Sequence, residues 1–179
     1  MAKNAKQNAK AAYVWGVTRI ALGLIFLWAF VDKLWGLGYS TCASEKTGEI
    51  ARFCDASWLN GGSPTAGFLQ HATKGPFADF FQNLAGNGLV DWLFMLGLLG
   101  IGLALVLGIV MRLATVFGVI LLGLMYLAAI PPANNPVIDD HIIYILVLVG
   151  LLKVNDEQKY GLGEKWAKTG LVKRYPILK

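Results

Sequence analysis

Arg19, Gly23, Phe26, Phe30 and Lys33 follow one another at spacings of 4, 3, 4 and 3 residues, which sets them on one face of a helix. A face with a cation near each end and aromatic rings between them could hold an anionic or aromatic ligand. If the apolar run opens after Lys10, Arg19 lies about 13 Å along a helix. An arginine at that depth in a bilayer costs about 2.5–3.5 kcal/mol on insertion scales, so it faces a bundle interior, a cavity or a partner. The alternative is that it snorkels to the surface and only anchors the helix.

A second group, Asp139, Asp140, His141 and Tyr144, opens the last apolar run. Asp140 and Tyr144 are i,i+4, and His141 and Tyr144 are i,i+3, so they can share a face. Histidine carries protons near neutral pH, and such a set could move them. Acids in a first helical turn also complement the helix dipole, and that plain role suits Asp139 best. With Asp32 beside Lys33, and Asp91 opening another run, most polar groups gather at one end of the helices.

Cys42 and Cys54 are the two cysteines of the chain. As a disulfide they would close a short loop and stabilise it by about 3 kcal/mol in the chain-entropy model. The sharper alternative is a thiol–disulfide relay to quinone, which normally uses Cys-x-x-Cys plus a second, shuttling pair; neither is found in this sequence. His71 and His141 are the two histidines, and neither pairs with another at one depth within the runs, so haem is not expected. No spacing points to a zinc or copper site, and nothing points to flavin.

The elements that position these residues are membrane-spanning. Mean hydropathy is +0.55, with 56% apolar residues, 15% charged residues and 21 glycines, far from a soluble domain of this size. Apolar runs cover about Ala12 to Phe30, Leu89 to Val110, Leu113 to Ile130 and Val137 to Leu152, near the ~20 residues that cross a ~30 Å hydrocarbon core. The reading is a single all-α integral membrane domain, a four-transmembrane-helix bundle in the plasma membrane of a bacterium. The first run is too long for a signal-peptide core and lacks a cleavage site before Asp32.

With both termini cytoplasmic, the inner segments carry Lys3, Lys6, Lys10, Arg112, Lys153, Lys159, Lys165, Lys168, Lys173, Arg174 and Lys179. The outer segments carry Lys33, Lys46, Arg52 and Lys74, a clear positive-inside bias. The net charge of +5 is therefore a topology signal; no basic and aromatic interleaving points to nucleic acid.

The long outer loop, residues 31–88, should contain two short amphipathic helices, lying on the membrane or capping the bundle. One starts with Ser63 as N-cap and Pro64 at N1; the other places Phe77, Phe80, Phe81 and Leu84 at helical spacing. Gly100, Ala104 and Gly108 form a small-residue stripe suited to close helix packing. Asn135 and Pro136 are expected to start the fourth helix. The tail, 153–179, is basic and reads as a surface segment near anionic lipid.

The segment from Arg19 to Lys33 resembles the opening helix of the DoxX/DoxD family of small four-helix membrane proteins. Trp58-Leu-Asn-Gly-Gly-Ser-Pro-Thr-Ala-Gly-Phe68, Asp91-Trp-Leu-Phe-Met-Leu-Gly-Leu-Leu-Gly100 and Asn135-Pro-Val-Ile-Asp-Asp-His-Ile-Ile-Tyr144 are similar to the rest of it. The resemblance covers about residues 13–160 and is strongest to the DoxD type. It implies a membrane subunit of a thiosulfate:quinone oxidoreductase, with a second, smaller protein subunit as partner besides the lipid bilayer. Some family members are associated instead with thiol-stress complexes. A homo-oligomer is also open.

On this expectation quinone is the cofactor, with Arg19, Asp32, Lys33 and Phe26 forming its site or that of the anionic donor. Asp140, His141 and Tyr144 would handle protons as catalytic residues. The rival reading is a non-catalytic membrane anchor or assembly partner for an extracytoplasmic redox protein. In that case Arg19 would be neutralised by carbonyls or lipid phosphate, and Arg19→Lys would be tolerated.

Overall fold

The computed structural model describes residues 2–43, 48–154 and 159–179. Lys46 of the outer loop lies outside the described residues. All regular elements among the described residues are helical; one isolated bridge joins Ala43 and Ile50.

Helix α1, Ala2–Trp35, crosses the molecule from the end that carries the termini, the tail end, to the loop end. Two short helices follow, α2 at Ala66–His71 and α3 at Ala78–Gln82. Then come α4 at Gly88–Leu107 and α5 at Met111–Ala128. The remaining helices are α6 at Asp140–Lys153, α7 at Gly163–Ala167 and α8 at Gly170–Arg174. The long helices run antiparallel in sequence, α1 packing on α4, α4 on α5 and α5 on α6.

Three of them are long and apolar enough to cross a membrane: Ala11–Trp35 within α1, Gly88–Leu107 and Met111–Ala128. Their outward faces carry exposed Leu24, Trp28, Leu93, Leu103, Phe117 and Ile120, as expected of surfaces that meet lipid. Leu22, Phe26, Met95, Leu98, Ile101, Leu105, Met111, Leu122, Leu148 and Leu151 fill the core between them.

Several boundaries differ from expectation. Helix α1 continues through Asp32 and Lys33 to Trp35, because nothing before Gly36, at φ +68°, breaks it. The last helix starts at Asp140. Asn135 does cap, but it caps a turn, its Oδ1 accepting from the Val137 and Ile138 amides. Asp139 is the helix N-cap instead, accepting from the His141 and Ile142 amides.

Glycines make the α1–α4 contact, and of the expected stripe Gly108 takes part, against Arg19 of α1. A Cβ at Gly23 would lie 2.9 Å from Leu105 and Val106, and one at Gly102 would lie 2.7 Å from Leu27, whereas a Cβ at Gly100 meets nothing. Of the stripe, Ala104 is buried and Gly108 faces Arg19, and Gly100 alone is left without a neighbour. At the loop end α2 and α3 cap the bundle. Leu69 and Phe81 are buried with Ala128 from the end of α5, while Phe77 and Phe80 stay exposed. The first of these helices starts at Ala66 with Thr65, not Ser63, at its N-cap position, so Pro64 lies before the helix; Ser63 Oγ still accepts from the Ala66 amide at 3.1 Å.

Candidate functional site

Arg19 is 1% exposed, and its partners are carbonyls. Nη1 donates to the Leu105 carbonyl at 2.5 Å and, longer, to Val106 at 3.4 Å. Nη2 donates to the carbonyl of Tyr160, in the C-terminal tail. Helix α4 would otherwise end on unpaired carbonyls. Here Ala104 accepts from the Gly108 and Ile109 amides, Leu107 accepts from the Leu162 amide at 2.7 Å, and Arg19 takes the two between. Gly108, at φ +71°, and Gly161 leave the room that the guanidinium fills. A cation at a helix C-terminus is also favoured by the helix dipole.

Arg19 and Lys33 do not share a cavity. Fourteen residues of α1 separate them, about 21 Å, and Gly23 and Phe26 between them pack directly on α4. Phe26 is a core residue, 4% exposed. Lys33 Nζ lies 5.9 Å from the centroid of the Phe94 ring.

Asp32 is 1% exposed. It accepts from the amides of Tyr39, Ser40 and Thr41 at 3.2, 2.8 and 2.9 Å, and from Ser40 Oγ at 2.8 Å. Its carboxylate holds the turn that leads to Cys42, and Cys42 and Cys54 are joined in a disulfide. Asp91 behaves alike, taking the Ser63 and Thr65 hydroxyls at 2.9 and 2.6 Å. Both acids organise the loop end.

At the start of α6, Asp140 is exposed, while His141 and Tyr144 are half-buried. The His141 ring does not bond to either of them: its Nδ1 pairs with Asp139 Oδ2 at 2.7 Å. Asp139 therefore does more than complement the helix dipole, fixing the histidine ring and leaving Nε2 as the atom that could exchange a proton. Among the described residues, no group of three or more His, Cys, Asp or Glu side chains could hold a metal ion.

The feature that sequence reasoning missed lies on the opposite face of α1. Ala21, Leu24, Ile25, Trp28 and Ala29 form an open groove of about 450 Å³ with Tyr39 and Ser40. The Trp28 and Tyr39 rings meet edge to face, 5.0 Å between centroids. One wall is thus the turn that Asp32 holds, two residues before the disulfide. The spacing of Ala21, Leu24, Ile25 and Trp28 was visible in the sequence. The folding back of Tyr39 was not, because it depends on the buried carboxylate. No protein family, no curated protein and no solved structure matches this chain.

Proposed function

We propose that this chain is the membrane subunit of a quinone-linked oxidoreductase, as its resemblance to DoxX/DoxD proteins implies. In this reading α6 is a fourth crossing, the loop end faces outward from a bacterial plasma membrane, and both termini are cytoplasmic. Electrons come from a small sulfur compound such as thiosulfate. Two thiosulfates joined through a sulfur–sulfur bond release two electrons, and a quinone takes these with two protons to become a quinol.

The observation that carries the reading is the groove. It is apolar, walled by Trp28 and Tyr39 and open along a face of α1 that meets lipid. A hydrophobic ring dissolved in the bilayer can enter it sideways and stack on aromatic side chains. Asp32 then serves as a positioning residue, through Tyr39 and Ser40. His141, oriented by Asp139 at the same end of the molecule, is the nearest fit to a proton carrier.

The test is the quinone content, by extraction and chromatography, of gently solubilised protein. Near-stoichiometric quinone is expected in the wild type and in Val17→Ala, a change on the lipid face outside the groove. Trp28→Ala should lose it. No quinone in the wild type, even after saturating addition, overturns the reading.

One set of observations favours the anchor reading. Among the described residues the buried charged side chains, Arg19, Asp32 and Asp91, are bonded to the chain's own carbonyls, amides and hydroxyls, as in a scaffold. A stable protein partner on the disulfide-closed loop, without quinone, would support it.

A further inference from the structure

The tail is built into the fold by its backbone. The Lys159 amide donates to the Ala12 carbonyl at 3.3 Å, the Leu162 amide to Leu107 at 2.7 Å, and the Arg112 amide to Lys179 at 3.2 Å. Arg19 reaches the Tyr160 carbonyl. A Cβ at Gly163 would sit 2.5 Å from the Gly108 carbonyl oxygen, and one at Gly16 would strike the carbonyl of Lys159. Residues 159–179 are thereby seated on the start of the apolar stretch of α1, at Ala12 and Gly16, and on the adjoining ends of α4 and α5, where a bilayer around those helices has its headgroups.

The tail also packs on itself. Val172 is 4% exposed, and Trp166 Nε1 donates to the Leu178 carbonyl at 2.6 Å. Its outer surface combines two chemistries. Leu171, Tyr175 and Ile177 are 50, 49 and 57% exposed, within a few residues of exposed Lys165, Lys173 and Arg174. Residues 159–179 hold six cations, Lys159, Lys165, Lys168, Lys173, Arg174 and Lys179, against the single carboxylate of Glu164, a net charge of +5. Glu164 is paired with Lys168 at 2.8 Å, and that bond holds its carboxyl below the usual carboxylate range.

We propose that residues 159–179 form an interfacial cap that docks on anionic phospholipid of the bilayer occupied by the spans. Leu171, Tyr175 and Ile177 enter the acyl boundary, and Lys165, Lys173 and Arg174 meet headgroup phosphates. Charge complementarity and continuity with the spans select this occupant. Apolar side chains beside cations at a membrane edge are the pattern of interfacial segments. The proposal does not depend on the quinone reading.

Both native cysteines are bridged, so Ile177→Cys supplies a single free thiol for an environment-sensitive fluorophore. The full chain is placed in nanodiscs of phosphatidylcholine, with and without phosphatidylglycerol. With phosphatidylglycerol, blue-shifted emission quenched by brominated acyl chains is expected. Quenching should be lost without the anionic lipid, and lost again when Lys165, Lys173 and Arg174 are all changed to Gln. Leu171→Cys repeats the test should the Ile177 label disturb folding. A probe in water in both bilayers overturns the proposal. Shielding that brominated chains do not quench, the mark of a protein partner or second copy, also overturns it. So does equal quenching in both lipids that the triple substitution leaves unmoved.

Discussion

Arg19 shows how a buried charge can be a structural tie. Its two terminal nitrogens divide between two elements, Nη1 to the end of α4 and Nη2 to the tail. A lysine presents one ammonium on a flexible stem and cannot repeat that fork. Tolerance of Arg19→Lys therefore no longer marks a structural role. The substitution leaves buried carbonyls unpaired and is expected to lower stability by about 1–3 kcal/mol. It should also expose the tail to protease, as read by thermal unfolding in detergent and by cleavage after Lys159. An unchanged midpoint with an uncut tail would mean that the carbonyl bonds hold nothing. The spacing of Arg19, Gly23, Phe26 and Lys33 was enough to put Arg19 on an inward face. Its partners could not be read, because backbone carbonyls are present at every position and leave no signature in residue type.

At the scale of the elements, the loop end depends on local ties that the sequence shows unevenly. The hydrogen bond of Ser63 to the Ala66 amide and the cysteine pair were legible, since each carries its chemistry in its own side chain. The start of α6 was not: Asn135 and Asp139 are both good caps, and residue types alone do not choose between them; Tyr126 Oη donates to the Val137 carbonyl between the two, at 2.5 Å. The turn from Asp32 to Cys42 was hidden too, since three of the four bonds to Asp32 come from backbone amides. Since Cys42–Cys54 closes this segment, replacing both by serine should cost the loop about 3 kcal/mol. If cleavage follows the open population, trypsin would cut after exposed Arg52 about a hundredfold faster. Helix content by circular dichroism should stay as in the wild type, because the long helices pack through the separate core around Leu105 and Leu148. A general loss of helix would instead make the loop part of the folding unit.

On the scale of the whole molecule, α6 decides the topology. Its 14 residues reach about 21 Å, less than the ~30 Å hydrocarbon core. Its flanks are nonetheless fixed at opposite ends. Val137, before it, is tied to Tyr126 near the close of α5, and Lys159, after it, is tied to Ala12 of α1. Gly150 lies against Trp15, far along α1 from the loop end. A helix joined in this way runs along the bundle; on the proposed reading of α6 as a fourth crossing, the bilayer thins or its neighbours cover the shortfall. Single cysteines at exposed Leu59, Val137 and Lys168 test this with a membrane-impermeant maleimide on intact cells. Leu59→Cys and Val137→Cys should react from outside, and Lys168→Cys only after the membrane is opened. If Lys168→Cys reacts as readily as the other two, α6 does not cross, and the positive charges of the tail lie on the same side as the loop.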